Sequence, residues 1–301
     1  MPASPGESPV RLDAHPPANP ERLLEGLNPE QEQAVLHERG PLLILAGAGS
    51  GKTRVITRRI AYLVAARSVH PSQILAITFT NKAAGEMRER VAALSSIQGV
   101  WIYTFHALCA RILRREIEVL GGYTRDFSIY DTADRNQLLK QIVQSEGFDT
   151  TRFKPALVGA WISDRKNRME SARAIPDDQG TEGAGLEEEM LARAWSAYEQ
   201  AMRAANALDF DDLLLKVLEI FDAHPGVRDS YAHRFQQVMV DEYQDTNRVQ
   251  YLLMRHFAGY HGNIGVCGDP DQSIYGWRGA DVRNILDFET DFPGEIGRAH
   301  V

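Results

Sequence analysis

A chain of 301 residues is long enough for one large domain or two smaller ones with buried cores, which excludes a miniprotein held together by disulfides or a metal. Hydrophobic residues make up 44% and charged residues 25%, the balance of a folded chain rather than a disordered or collagen-like one. The net charge of −8 excludes a general coat of basic charge for nonspecific nucleic-acid binding but permits a local basic groove, because exposed charges are screened beyond ~8–10 Å.

No apolar run approaches the ~18–20 residues of a membrane helix and residues 1–20 carry no apolar signal segment, so a cytoplasmic protein without membrane contact is expected. Cys109 and Cys267 lie far apart with no Cys or His nearby at zinc spacing, which predicts neither a disulfide framework nor a structural zinc.

The first twenty residues hold six of the fourteen prolines and few large apolar groups, so 1–21 is expected to be a flexible tail. Apolar runs at 41–46, 73–78 and 100–104 suit strands buried on both faces, with helical periodicity between them, and together predict a parallel α/β sheet. Amphipathic helices follow at 106–119, 132–145, 155–166 and 186–204, with a solvated loop rich in Gly, Asp and Glu at 171–185. Strand runs return at 237–241 and 263–267 around a helix at 248–257. The chain therefore reads as an α/β domain of residues 22–106 and 207–294, interrupted by an all-helical domain at 107–206.

Ala46-Gly-Ala-Gly-Ser-Gly-Lys-Thr53 follows the first strand and opens a helix expected at 51–66, the context of a phosphate-binding loop. Ala46, Gly47, Ala48, Gly49, Ser50 and Gly51 wrap backbone N–H groups around phosphates at a helix N-terminus. Lys52 reaches the β and γ phosphates, and Thr53 offers a hydroxyl to Mg²⁺. Ala46 stands where the strict pattern has Gly. Val238-Met-Val-Asp-Glu242 delivers two acids from the carboxyl end of a strand, Asp241 for Mg²⁺ and Glu242 as general base for the attacking water. An acid pair after a strand is a weak signal alone and a strong one with Lys52 upstream.

With these, Leu27-Asn-Pro-Glu-Gln31, Ile77-Thr-Phe-Thr-Asn-Lys-Ala-Ala84, Thr104-Phe-His106, Leu208-Asp-Phe-Asp-Asp212, Asp241-Glu-Tyr-Gln-Asp-Thr246 and Gly268-Asp-Pro-Asp-Gln-Ser-Ile-Tyr-Gly-Trp-Arg-Gly279 stand in order along the chain. The set resembles the superfamily-one DNA helicases of the UvrD, PcrA and Rep group over residues 27–292. The resemblance implies a RecA-like P-loop parallel sheet with an inserted all-helical domain, using ATP and Mg²⁺ to move 3′ to 5′ along single-stranded DNA. It assigns Gln31 to the adenine edge, Arg54 to nucleotide contact and Gln272 to the γ-phosphate. Taken alone, Gln31 is equally a polar helix start and Arg54 an exposed helical arginine.

By the same resemblance Phe79, Phe210, Tyr275 and Trp277 stack on bases, Arg278 accompanies them, and Thr80, Asn81, Thr104 and His106 contact the sugar-phosphate backbone. Phe79 and Phe210 singly would be ordinary core residues, and His106 the neighbour of a helix N-cap. Lys166 and Arg168 either meet duplex DNA or lie on a solvated charged helix. The implied partners are single-stranded DNA, single/double-strand junctions, a second RecA-like domain carrying transition-state arginines, and proteins of DNA repair or replication.

Residues 295–301 do not resemble the strand expected next; they are what a widely used short-read sequencing adapter encodes, and are read as a non-native tail. Without the second domain, weak binding and slow hydrolysis are expected of this chain. A passive DNA-binding module and a P-loop small-molecule kinase are the competing readings, and the kinase leaves the aromatic motifs unexplained.

Overall fold

The structure is a computed structural model and describes residues 19–47, 49–95, 97–171, 184–269, 271, 288–292 and 297–301. Strands β1 (Leu42–Leu45), β2 (Ile74–Thr78), β3 (Trp101–Thr104), β6 (Gln237–Val240), β7 (Ile264–Gly268) and β8 (Gly297–His300) form one sheet in the order β3-β2-β6-β7-β1-β8. Every pairing is parallel. Parallel strands need crossovers and covered faces, which is why β2 and β6 are buried along their whole length.

Side chains alternate between two cores. Leu75, Ile77, Val238 and Val240 face one, while Ile74, Ala76, Met239 and Cys267 face the other. Helices α2 (Lys52–Arg67) and α3 (Asn81–Ser95) cover the second face. The first is covered by α4 (Phe105–Glu116), α8 (Phe210–Ala223), α9 (Pro225–Arg234) and α10 (Arg248–Ala258). Packed against α2 and β8, α1 (Pro29–Leu36) opens with a capping box, Asn28 Oδ1 accepting from Gln31 N at 2.7 Å and Gln31 Oε1 accepting from Asn28 N at 3.2 Å. Arg59, buried on α2, donates to the carbonyls of Ala34, Val35 and His37 at the other end of α1.

The helical block is α5 (Thr132–Ser145), α6 (Pro155–Asn167) and α7 (Ala184–Ala204), close to the expected spans. It owns a separate core of Leu139, Ile142, Phe148, Phe153, Ile162, Trp195 and Tyr198. The chain enters and leaves it through a short parallel ladder of β4 (Ser128–Ile129) and β5 (Ala207–Leu208), which sequence periodicity does not reveal. Helix α4 was expected to start the insertion, but Phe105, Leu108, Ile112 and Leu113 pack in the sheet core. An amphipathic stripe says that a face is buried, not against what.

A second difference concerns the end of the chain. Residues 297–300 form β8 beside β1, with Gly297 N donating to Pro41 O at 3.0 Å and Val301 N to Leu45 O at 2.8 Å. Gly, Arg, Ala and His have little strand propensity, so the sequence gives no sign of it; an open sheet edge recruits backbone, whatever the side chains. Gly297 fits because a Cβ there would stand 2.5 Å from His37 Nδ1. Cys109 and Cys267 are free and buried, and among the described residues no helix is long and apolar enough to cross a membrane.

Candidate nucleotide and DNA site

The loop leaving β1 meets the N-terminus of α2 at Gly51, which takes φ +95° and has Gln31 Nε2 3.2 Å from where a Cβ would sit. A left-handed residue with no room beside it leaves only glycine. Among the described residues no side chain caps α2, and its first turn carries no acid, so its leading N–H groups suit an acceptor from a ligand. Ser50 Oγ donates to Gly47 O at 2.9 Å, closing the loop on itself, and Gln31 Nε2 donates to Ser50 O at 3.0 Å. Gln31 thus holds the loop from α1, with its amide oxygen on the capping box. Arg54 donates to Gly26 O at 2.8 Å, pinning the segment before α1.

Among the described residues Lys52 Nζ is buried without a hydrogen-bond partner, 3.6 Å from the Glu242 carboxylate. A buried ammonium lacking an acceptor is costly, and a phosphate oxygen would satisfy it. Asp241 follows β6 and is still held by the ladder, its N–H donating to Ile77 O at 2.9 Å. Burial first, then the neighbouring charge of Glu242, push its carboxyl up to about 6 against the pull of Lys52 and the Glu242 N–H. A carboxylate so placed wants a cation. Thr53, the second residue of α2, is the hydroxyl nearest in sequence to Lys52, and among the described residues no cluster of three His, Cys, Asp or Glu could hold a metal by itself. That donor set fits an ion coordinated mainly by phosphate and water, as Mg²⁺ prefers.

Glu242 has φ +52°, a left-handed conformation rare for a residue with a Cβ and worth ~1–3 kcal/mol of strain. The kink turns the chain off the strand axis and directs the second acid toward Lys52. Glu242 N donates to Asp241 Oδ1 at 3.0 Å, and Gln244 Nε2 donates to Glu242 Oε2 at 2.8 Å.

Further along the same carboxyl edge, β2 and β3 run into α3 and α4. Thr80 Oγ1 accepts from Ala83 N at 3.1 Å, Thr104 Oγ1 accepts from Ala107 N at 3.3 Å, and Thr104 donates to Asn81 Oδ1 at 3.4 Å. Two of the polar residues expected at the DNA backbone, Thr80 and Thr104, therefore also cap the helices that follow β2 and β3. Phe210 is 52% exposed and meets the His106 ring edge-on, with centroids 5.6 Å apart; Phe79 is half-buried, edge-on to Phe105 at 6.1 Å. Ala48, Gln272, Tyr275, Trp277 and Arg278 lie outside the described residues.

Lys166 does neither thing expected of it. It is 2% exposed, with Nζ 2.8 Å from Asp209 Oδ2 and 2.7 Å from Asp212 Oδ1, and Tyr198 OH donates to Asp209 at 3.0 Å. Burial disfavours the ammonium, but Asp212 and Asp209 together outweigh it and raise its pKa. Arg168 pairs with Asp164 at the surface, one turn back on the same helix. Sequence reasoning also gave no role to Gln244, or to Asn167, whose amide donates to Asp211 Oδ1 at 3.3 Å and whose oxygen accepts from Asn247 Nδ2 at 3.0 Å. The signal for Gln244 was its place two residues after Glu242; for Asn167 there was none.

A glycine-bearing loop at the head of one central parallel strand and an acid pair at the head of another, with a buried lysine between, define a P-loop nucleotide-binding domain of RecA-like α/β architecture. The family model for the UvrD/REP helicase N-terminal domain matches residues 27–293, and the chain belongs to this family. It is 49% identical over 294 residues to the ATP-dependent DNA helicase UvrD1 of Mycobacterium leprae, covering 93% of this chain and 38% of the relative. It is 47% identical over 274 residues to the ATP-dependent DNA helicase PcrA of Bacillus subtilis, covering 90% and 36%. The chain thus spans less than two-fifths of the length of these curated relatives.

Proposed function

We propose that this chain is the ATP-binding half of an ATP-dependent 3′ to 5′ DNA helicase that acts on single-stranded DNA and strand junctions in repair or replication. The carrying observation is the buried Lys52 ammonium, 3.6 Å from Glu242 and without a hydrogen-bond acceptor among the described residues, at the first position of a helix that no described side chain caps.

Lys52 and the N–H groups of α2 bind the β and γ phosphates, within the cradle that runs from Ala46 to Gly51. Thr53 and Asp241 would hold Mg²⁺, which when bound offsets phosphate charge. Glu242 accepts the proton of the attacking water, and Gln272 senses the γ-phosphate. Gln31 ties the adenine side of the site to the phosphate loop through Ser50, with Arg54 alongside. Phe79 and Phe210 offer faces to bases, joined by Tyr275, Trp277 and Arg278, while Thr80, Asn81, Thr104 and His106 line the sugar-phosphate path.

The names of the relatives support ATP and DNA as ligands. The test is MgATP hydrolysis with and without single-stranded DNA. Stimulation that disappears in Lys52→Ala is expected, and transfer of phosphate to a small acceptor with no response to DNA would overturn the reading.

A further inference from the structure

Strand β7 lies between the strand that feeds the phosphate loop and the strand that delivers the acid pair. Its carboxyl end is tied to both neighbours. On one side Ala46 N donates to Gly268 O at 3.1 Å, and on the other Asp269 N donates to Gln244 Oε1 at 3.1 Å. The other end of the Gln244 amide donates to Glu242 Oε2 at 2.8 Å, with a longer contact to Asp245 Oδ2 at 3.4 Å. Gln244 is 1% exposed, so both ends of its amide work away from water.

We infer that Gln244 is a positioning residue: it orients the Glu242 carboxylate and locks it to Asp269 at the end of β7, so that the acid and that strand end move as one. The inference deepens the nucleotide site proposed above and rests on that reading. The Gln244 amide has the chemistry for this. It donates to a carboxylate and accepts from a backbone N–H at once, whereas a carboxylate at the same place would repel Glu242 and a hydrocarbon would make neither bond. The restraint matters because Glu242 is partly exposed and held in a left-handed backbone conformation; a base displaced by 1 Å loses much of its rate.

Two variants of the full chain separate the two ends. Gln244→Met removes the hydrogen bonds to Glu242 and Asp269, and Gln244→Glu keeps the acceptor for Asp269 N while losing the donor to Glu242. Three quantities are measured: MgATP affinity, single-turnover MgATP hydrolysis, and hydrogen–deuterium exchange of the Asp269 amide in nucleotide-free protein. Both variants are expected to bind MgATP within about threefold of the parent and to hydrolyse it at least tenfold more slowly. The Asp269 amide should exchange at least tenfold faster in Gln244→Met and stay protected in Gln244→Glu. Unchanged exchange in Gln244→Met, or hydrolysis within twofold of the parent in both variants, would overturn the inference. A parent chain that does not bind MgATP would instead overturn the nucleotide-site reading, with the exchange rates still deciding whether Gln244 holds Asp269 at the end of β7.

Discussion

The Lys52 ammonium stands 3.6 Å from the Glu242 carboxylate, too long for a hydrogen bond and short enough for attraction. Lys52→Ala should weaken MgATP binding at least a hundredfold by equilibrium titration. Glu242→Gln should leave affinity within a few-fold and lower the hydrolysis rate by ~10²–10⁴, the usual contribution of a general base.

Asp241 gives the nucleotide-free chain a pH signature. Its carboxyl is raised to about 6, so between about pH 4 and 6 the folded state holds a proton that the unfolded state has released. Stability is therefore greatest below that window and falls as the pH rises through it. Asp241→Asn keeps an acceptor for the Glu242 N–H and carries no charge. In EDTA at pH 7 it should be more stable than the parent, by at most about 3 kcal/mol, with the difference closing toward pH 4 in denaturant titrations.

Phe210 and Phe79 separate binding from folding. Phe210 is exposed, so Phe210→Ala should leave stability within ~0.5 kcal/mol and reduce affinity for an oligothymidylate by ~1–3 kcal/mol in fluorescence anisotropy. Phe79 packs on Phe105, and Phe79→Ala should lower both affinity and stability, the latter by ~1–3 kcal/mol.

Lys166 joins the helical block to the cap of α8. Lys166→Met leaves Asp209 and Asp212 facing each other in a buried space and should destabilise the chain by ~3–5 kcal/mol in urea. Adding Asp212→Asn removes one of the like charges and should restore part of the loss, a coupling that a double-mutant cycle reads directly.

The parallel sheet, the glycine loop before α2 and the acid pair were legible in the residues alone, because each depends on local pattern: continuous apolar runs for two-sided burial, closely spaced glycines between a strand and a helix, Asp241 and Glu242 at a strand end. Tertiary structure alone decided the rest. It placed Lys166 in a buried ionic cluster rather than on a nucleic-acid surface, drew α4 into the sheet core, seated Gly297–His300 against β1, and put β7 between the two halves of the site, where Gln244 spans them. Partners 43 and 46 residues apart, or a free strand edge that accepts any backbone, leave no periodicity for a sequence to carry.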